Sequence, residues 1–282
     1  MTRIDFSHQT TLVTGASSGI GAALAAQLAA RGSTLVLVAR REDRLRELAT
    51  RLHDAHGVRV ETIALNLARP HPGRTLVEEL SRRGLRVTSL VNNAGVGIDG
   101  AFHDQDPERL QALLALNVTA LVDVTRALID DLTAAGTGML VNVTSSAAYQ
   151  PIPGMAVYAA SKTFVLNLTE ALWWETQHTG LRTLAFAPTL TRTEFFDEIG
   201  VEQYPGSFQT PEEAATALLH AADRRRPGPS VTSRRRDTVT AALVRMLPRR
   251  AAVIGTARAA GSARLMGRRP APPASAGVAP GR

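Results

Sequence analysis

The chain has 282 residues, 44% of them hydrophobic, which is enough for one large core; it has no cysteine, which excludes a disulfide framework and a thiolate metal site. Its net charge of +7 averages two unlike parts: residues 224–282 carry fourteen arginines against one acid, a net +13, which leaves −6 for residues 1–223. Met1-Thr2-Arg3-Ile4-Asp5-Phe6 does not read as a signal peptide, and no stretch approaches the roughly 20 apolar residues of a membrane span, so the expectation is a cytoplasmic protein.

In chain order, the apolar run Thr11-Leu12-Val13 enters Thr14-Gly15-Ala16-Ser17-Ser18-Gly19-Ile20-Gly21, after which Ala22 to Ala30 reads as a helix. Strand, glycine turn and helix together make a phosphate site, because glycines let the backbone approach an anion and the helix N-terminus offers it free N–H groups. Gly15 to Gly19 also fits the G-x-S-x-G elbow of a serine hydrolase. That elbow follows several strands, whereas one precedes it here, and no histidine stands out as its base.

Leu35 to Val38 is the second strand and ends at Ala39-Arg40-Arg41. A carboxylate at this point suits a ribose 2′-OH, whereas an arginine suits a 2′-phosphate, so Arg40 points to NADP(H) over NAD(H). A helix follows to about His56, then a strand at Val58 to Leu65, a helix near Thr75 to Arg83, and a strand at Val87 to Val91. The turn Asn92-Asn93-Ala94-Gly95 comes next, then a helix from about Pro107 to Asp131. The strand Met139 to Val143 runs into Thr144-Ser145-Ser146. A helix carrying Tyr158 continues to about His178, and the strand Leu181 to Ala187 ends at Pro188.

Strands that alternate with helices predict an α/β, doubly wound parallel sheet, a Rossmann fold, with ligands at the carboxyl ends of the strands. Gly15, Arg40, Asn66, Asn93, Ser145 and Pro188 all fall at such ends. Within Tyr158-Ala159-Ala160-Ser161-Lys162 stands the one lysine of a chain that otherwise uses arginine for every cation. Positions i and i+4 share a helical face, and an ammonium beside a phenol favours the phenolate. The pattern therefore predicts a tyrosine drawn down from about 10 toward a working pKa for proton transfer.

With these motifs assembled, the chain resembles the classical short-chain dehydrogenase/reductase family over roughly residues 8 to 225. The resemblance rests on Thr14 to Gly21, Asn92-Asn93-Ala94-Gly95, Asn117, Ser145, Tyr158 with Lys162, and Pro188 followed by Thr193. It implies an NADP(H)-dependent oxidoreductase that moves a hydride between the nicotinamide and a carbonyl or alcohol carbon. Tyr158 would be the general acid or base, and Ser145, chosen over Ser146 for its spacing, would bind the substrate oxygen. Lys162 would hold the nicotinamide ribose, and Asn117 would anchor a water behind it. Cofactor contacts would come from Gly15, Ser17, Ser18, Gly19, Ile20, Arg40, Asn66, Leu67, Asn93, Ala94, Gly95, Pro188, Thr191 and Thr193, together with Tyr158 and Lys162. Asn66 stands where the family has an adenine-contacting aspartate, and Thr189 stands where it has a glycine. The family also implies a homodimer or homotetramer. The rival reading is a dinucleotide-binding regulator with the fold but no turnover.

Residues 1–233 are expected to form the catalytic domain, 234–267 a partly helical basic extension, and 268–282 a disordered tail. In the family the segment Glu194 to Val201, with Tyr204-Pro205-Gly206, is a lid; its aromatics Phe195, Phe196 and Tyr204 suggest either an apolar substrate or a lid that packs them on the body. Pro211 opens a further helix to about Arg225, and Ser230 to Ser233 reads as the last strand. Val239 to Met246, flanked by arginines, suits an anionic membrane surface, a partner subunit or the chain's own acidic body. Scarce aromatics argue against a nucleic-acid platform. His53 and His56 are an exposed pair without a third ligand, and no metal site is expected.

Overall fold

The computed structural model describes residues 3–199, 207–224 and 227–259. Within them seven parallel strands form one sheet in the order β3-β2-β1-β4-β5-β6-β7. Their ranges are β1 Thr10–Thr14, β2 Thr34–Ala39, β3 Val60–Ala64, β4 Ser89–Asn92, β5 Met139–Val143, β6 Arg182–Ala187 and β7 Ser230–Thr232. The order reverses between β1 and β4, which are paired through Leu12 and Leu90, and the switch opens a crevice above their carboxyl ends.

Alternate residues of the inner strands face opposite layers, and both layers are apolar. Val13, Leu35 and Leu37 pack against α1 (Gly19–Ala29), α2 (Glu42–His56) and α8 (Pro211–Ala222). Leu12, Val36 and Val38 pack against α3 (Pro72–Arg82) and α5 (Leu121–Ala135). Continuous apolar strands are what a sheet covered on both faces requires. Helix boundaries follow local chemistry. Gly57 ends α2 in the left-handed conformation at φ 66°, and Thr210 with Glu213 forms a capping box ahead of Pro211.

The expected helix over 107–131 is not one α-helix. It comprises α4 (Pro107–Leu114), a π-helical segment Ala115–Ala120, and α5. A π turn inserts a residue without breaking the apolar periodicity, so the pattern reads as continuous while the face presented to the core shifts. The shift leaves Asn117 1% exposed. By length and hydropathy the run 107–135 also qualifies as a membrane span. Its apolar residues Val124, Leu128 and Leu132 are packed on the sheet instead.

A buried amide ladder crosses the sheet. Asn92 Nδ2 donates to Asn142 Oδ1 and to Thr125 Oγ1, each at 2.9 Å, and Asn142 Nδ2 donates to Thr169 Oγ1 at 2.9 Å. It joins β4 and β5 to α5 and to α6 (Ala156–Glu175). Satisfied polar groups in a low-dielectric core fix one arrangement of the elements, here that of the helix bearing Tyr158. The basic extension folds as α9 (Arg235–Met246) and α10 (Arg249–Ala259). Arg245 of α9 stacks over the Tyr149 ring at 5.5 Å, so the inner side of the extension lies on the body. Residues 200–206 of the expected lid, with Val201 and Tyr204, and the expected tail at 268–282 lie outside the described residues.

Candidate active site

The crevice is a cleft of about 710 Å³, with the glycine turn at one end and Tyr158 at the other. Gly15 has φ 65°, a conformation costly for a side chain. Gly21 has no room for one: a Cβ would lie 2.4 Å from Gly15 O and 2.6 Å from Asn93 Nδ2. Ser18 precedes α1 without capping it through its side chain, so the first-turn N–H groups present an anion site to the cleft. Ser17, Ser18, Gly19, Ile20, Arg40, Asn66, Leu67 and Gly95 line this wall.

Thr14, given no role of its own in the sequence motif, ties the two loops together. Its Oγ1 accepts from Asn93 N at 2.9 Å and Ala94 N at 3.0 Å, while Asn93 Nδ2 donates to Thr14 O at 3.0 Å. Asn93 therefore spends its side chain on the glycine turn. Asn66 Oδ1 likewise accepts from Ala68 N at 3.1 Å, which closes its own turn. On the opposite wall Pro188 O accepts from Ser146 N at 3.0 Å. Thr191 donates to Thr189 O at 2.8 Å and accepts from Gln209 Nε2 at 2.9 Å. Thr193 packs against Gly19, where an added Cβ would sit 3.0 Å from its Cγ2.

At the far end the structure brings Ser145, Tyr158, Lys162 and Asn117 together. Ser145 ends the loop after β5, where its Oγ accepts from Ala147 N at 3.1 Å and is hydrogen-bonded with the Tyr158 hydroxyl. Lys162, one turn beyond Tyr158, is 5% exposed; its Nζ donates to Val143 O at 3.0 Å and lies 5.9 Å from the centre of the Tyr158 ring. Asn117 Oδ1 accepts from Val96 N at 3.0 Å, and its Nδ2 donates to Val96 O at 2.9 Å and to Ser161 Oγ at 3.2 Å. The Asn117 side chain thus holds the loop beside the lysine.

The expected acidic phenol is corrected by this geometry. Burial pushes Tyr158 up to about 12, opposed by the Ser145 hydrogen bond, and burial also holds Lys162 down to about 8. Desolvation penalises both charged forms and is the largest influence on each. At neutral pH the phenol is therefore protonated.

Two features were not visible in the sequence. Arg41, immediately after the expected Arg40, donates from Nη2 to Ser17 Oγ at 3.0 Å and Ser18 Oγ at 2.8 Å. The other is α10, which adds Thr256 and Ala259 to the lining of the cleft. Phe195 lies at this end of the cleft, its ring 5.3 Å from that of Tyr158.

Comparison with known proteins agrees with this arrangement. The short chain dehydrogenase family model matches residues 9–203. Sulfoacetaldehyde reductase 2 of Chromohalobacter salexigens is 39% identical over 186 residues, covering 65% of this chain and 73% of that protein. A short-chain dehydrogenase from Sphingobium yanoikuyae in complex with NADPH superposes with a TM-score of 0.74 at 36% identity, over 85% of this chain and 96% of that one. L-sorbose reductase from Gluconobacter frateurii, complexed with NADPH and L-sorbose, gives 0.72 at 29% identity, over 82% and 97%. A parallel sheet opened at its switch point, a glycine turn on one side and a serine–tyrosine–lysine group on the other, together with these matches, place the chain in the short chain dehydrogenase family.

Proposed function

We propose that this oxidoreductase uses NADP(H) to interconvert a carbonyl and a secondary alcohol of an apolar substrate, with Tyr158 moving the proton. The observation that carries the reading is one continuous cleft, with a built anion site at one end and the hydroxyls of a buried tyrosine and a half-buried serine at the other. The residues fit the dinucleotide: the uncapped start of α1 suits its diphosphate, and Arg40 with Arg41 suits a 2′-phosphate. That the Sphingobium protein and L-sorbose reductase are complexed with NADPH supports the same choice. When bound, the cofactor supplies the hydride.

The remaining work falls to the chain. Ser145 and Tyr158 hold the substrate oxygen between two hydroxyls, and Tyr158 gives that oxygen its proton in the reductive direction. Lys162 supplies the cationic charge behind the phenol as the proton leaves. Phe195, Phe196, Met155 and Ile152 make the reacting end apolar and exclude water.

The test is a panel of carbonyls and alcohols with NADPH, NADH and their oxidised forms. Turnover of bulky apolar ketones with NADPH is the expected outcome. Activity confined to small charged carbonyls would overturn the substrate class, and preference for NADH would overturn the cofactor. Arg41→Ala should raise the KM for NADPH about tenfold and leave that for NADH within about twofold, since one charge-assisted contact is at stake.

The wall formed by α10 makes a separate prediction. Thr256 is 9% exposed, so Thr256→Trp has to project bulk into the cleft or displace the helix. The expected result is a loss of about 10- to 100-fold in kcat/KM for bulky ketones, with small ketones and cofactor affinity little changed. Steady-state kinetics across a size series checks it.

A further inference from the structure

Glu194 links the two ends of the cleft in a way that neither a substrate lid nor a cofactor site needs. It is the first residue of α7 (Glu194–Ile199), directly before Phe195, whose ring packs on Tyr158, and Phe196, whose ring packs on Phe195. Its carboxylate points away from them, toward the loop after β2. Arg41 Nη1 donates to Glu194 Oε2 at 2.7 Å, and Arg44 Nη1 donates to Oε1. The same Arg41 guanidinium holds the hydroxyls of Ser17 and Ser18, and Arg40 stands exposed on the same rim. Two guanidinium groups at the edge of a nucleotide cleft, with hydroxyls beside them, are a donor set for a phosphate monoester. The anion they hold here is a carboxylate of the chain itself. The Arg44 and Arg41 hydrogen bonds keep that carboxyl down at about 2, so it is ionised across the working range.

We propose that Glu194 is an internal substitute for the adenosine 2′-phosphate, displaced by a dinucleotide that carries this group, so that filling the 2′-phosphate site releases α7 at the mouth of the substrate pocket. The proposal rests on the NADP(H) reading and assigns Glu194 as a determinant of cofactor choice. Exchange is physically easy. The Glu194 and Arg41 side chains are 45% and 41% exposed, so the pair is screened by water and weak. A phosphate with close to two negative charges and three acceptor oxygens competes well for the same guanidinium. Once it is seated, Glu194 faces a like charge and moves away. A cofactor without the phosphate leaves the clamp closed.

The test uses 2′,5′-ADP and 5′-AMP as probes on the full chain, with wild type and Glu194→Gln compared by hydrogen exchange and by titration calorimetry. In the wild type, 2′,5′-ADP should speed amide exchange over residues 194–199 several-fold, and 5′-AMP should not. Glu194→Gln should exchange fast without any ligand and bind 2′,5′-ADP about five-fold more tightly, with 5′-AMP changed less than about two-fold, and the gain should shrink in high salt. Exchange in α7 that ignores 2′,5′-ADP, or weaker 2′,5′-ADP binding by Glu194→Gln, would overturn the proposal and leave Glu194 as a positioner of Arg41. A wild-type chain that binds 2′,5′-ADP no better than 5′-AMP would instead remove the NADP(H) reading beneath it.

Discussion

Replacing Tyr158 with phenylalanine is expected to lower turnover by about 10²- to 10⁴-fold, the range for losing a positioned proton donor, while dinucleotide affinity stays within about twofold. The substitution deletes one oxygen and keeps the ring, which packs with Ala147, Met155 and Phe196 in a buried cluster and against Phe195 at 5.3 Å. Ser145 loses one partner but still accepts from Ala147 N, so the fold should lose no more than about 1 kcal/mol. Ser145→Ala should also be severe. The double variant should be little worse than Tyr158→Phe alone, because two hydroxyls that hold the same oxygen act as a unit. Single-turnover kinetics beside calorimetric cofactor binding checks all three. Undiminished turnover in Tyr158→Phe would assign the proton transfer to another group, whereas a wild type without turnover would leave the non-catalytic, dinucleotide-binding reading standing.

The parts of this site that were legible in the sequence are those set by backbone geometry. The strand Met139–Val143 has the bounds its apolar run suggests, and the i, i+4 spacing does put Tyr158 and Lys162 in one buried group. Each glycine of the turn is needed for a conformation or a close approach, and such needs leave a residue-specific mark. What could not be read depends on distances between elements far apart in the chain. Arg41 and Arg40 are equivalent in sequence; Ser17, Ser18 and Glu194 are what make Arg41 the one with partners at the cleft. The contribution of α10 was hidden because Ala252, Thr256 and Ala259 are small and give no apolar stripe, yet small residues are what let a helix approach a pocket. The tyrosine's raised pKa was hidden for the same reason. A cation at i+4 is visible in the sequence, whereas the burial that opposes it is a property of the packed cluster.

That balance between burial and charge sets the pH dependence, for which the expected effect is again large. Reducing a carbonyl to an alcohol with a hydride consumes one proton, so the ratio of oxidation to reduction rates must rise about tenfold per pH unit whatever the protein does. What the protein decides is where the dependence passes from one direction to the other. With Tyr158 pushed up to about 12 and Lys162 held down to about 8, the tyrosine–lysine pair sheds its first proton near pH 8. Below that point both groups are protonated, the form that donates to a carbonyl oxygen. Above it one proton is gone, and the form with a phenolate beside an ammonium is at the same protonation level, ready to accept from an alcohol. Reduction should therefore be flat to about pH 8 and then fall tenfold per unit, while oxidation rises tenfold per unit to the same pH and then levels. Lys162→Met leaves the phenol as the only proton of the pair, which moves the break toward 12, so oxidation should still be rising at pH 10. Measuring kcat/KM in both directions from pH 6 to 10, with circular dichroism to confirm folding, decides the matter. A break near 8 that survives Lys162→Met belongs to another group and would dissociate the lysine from the proton chemistry.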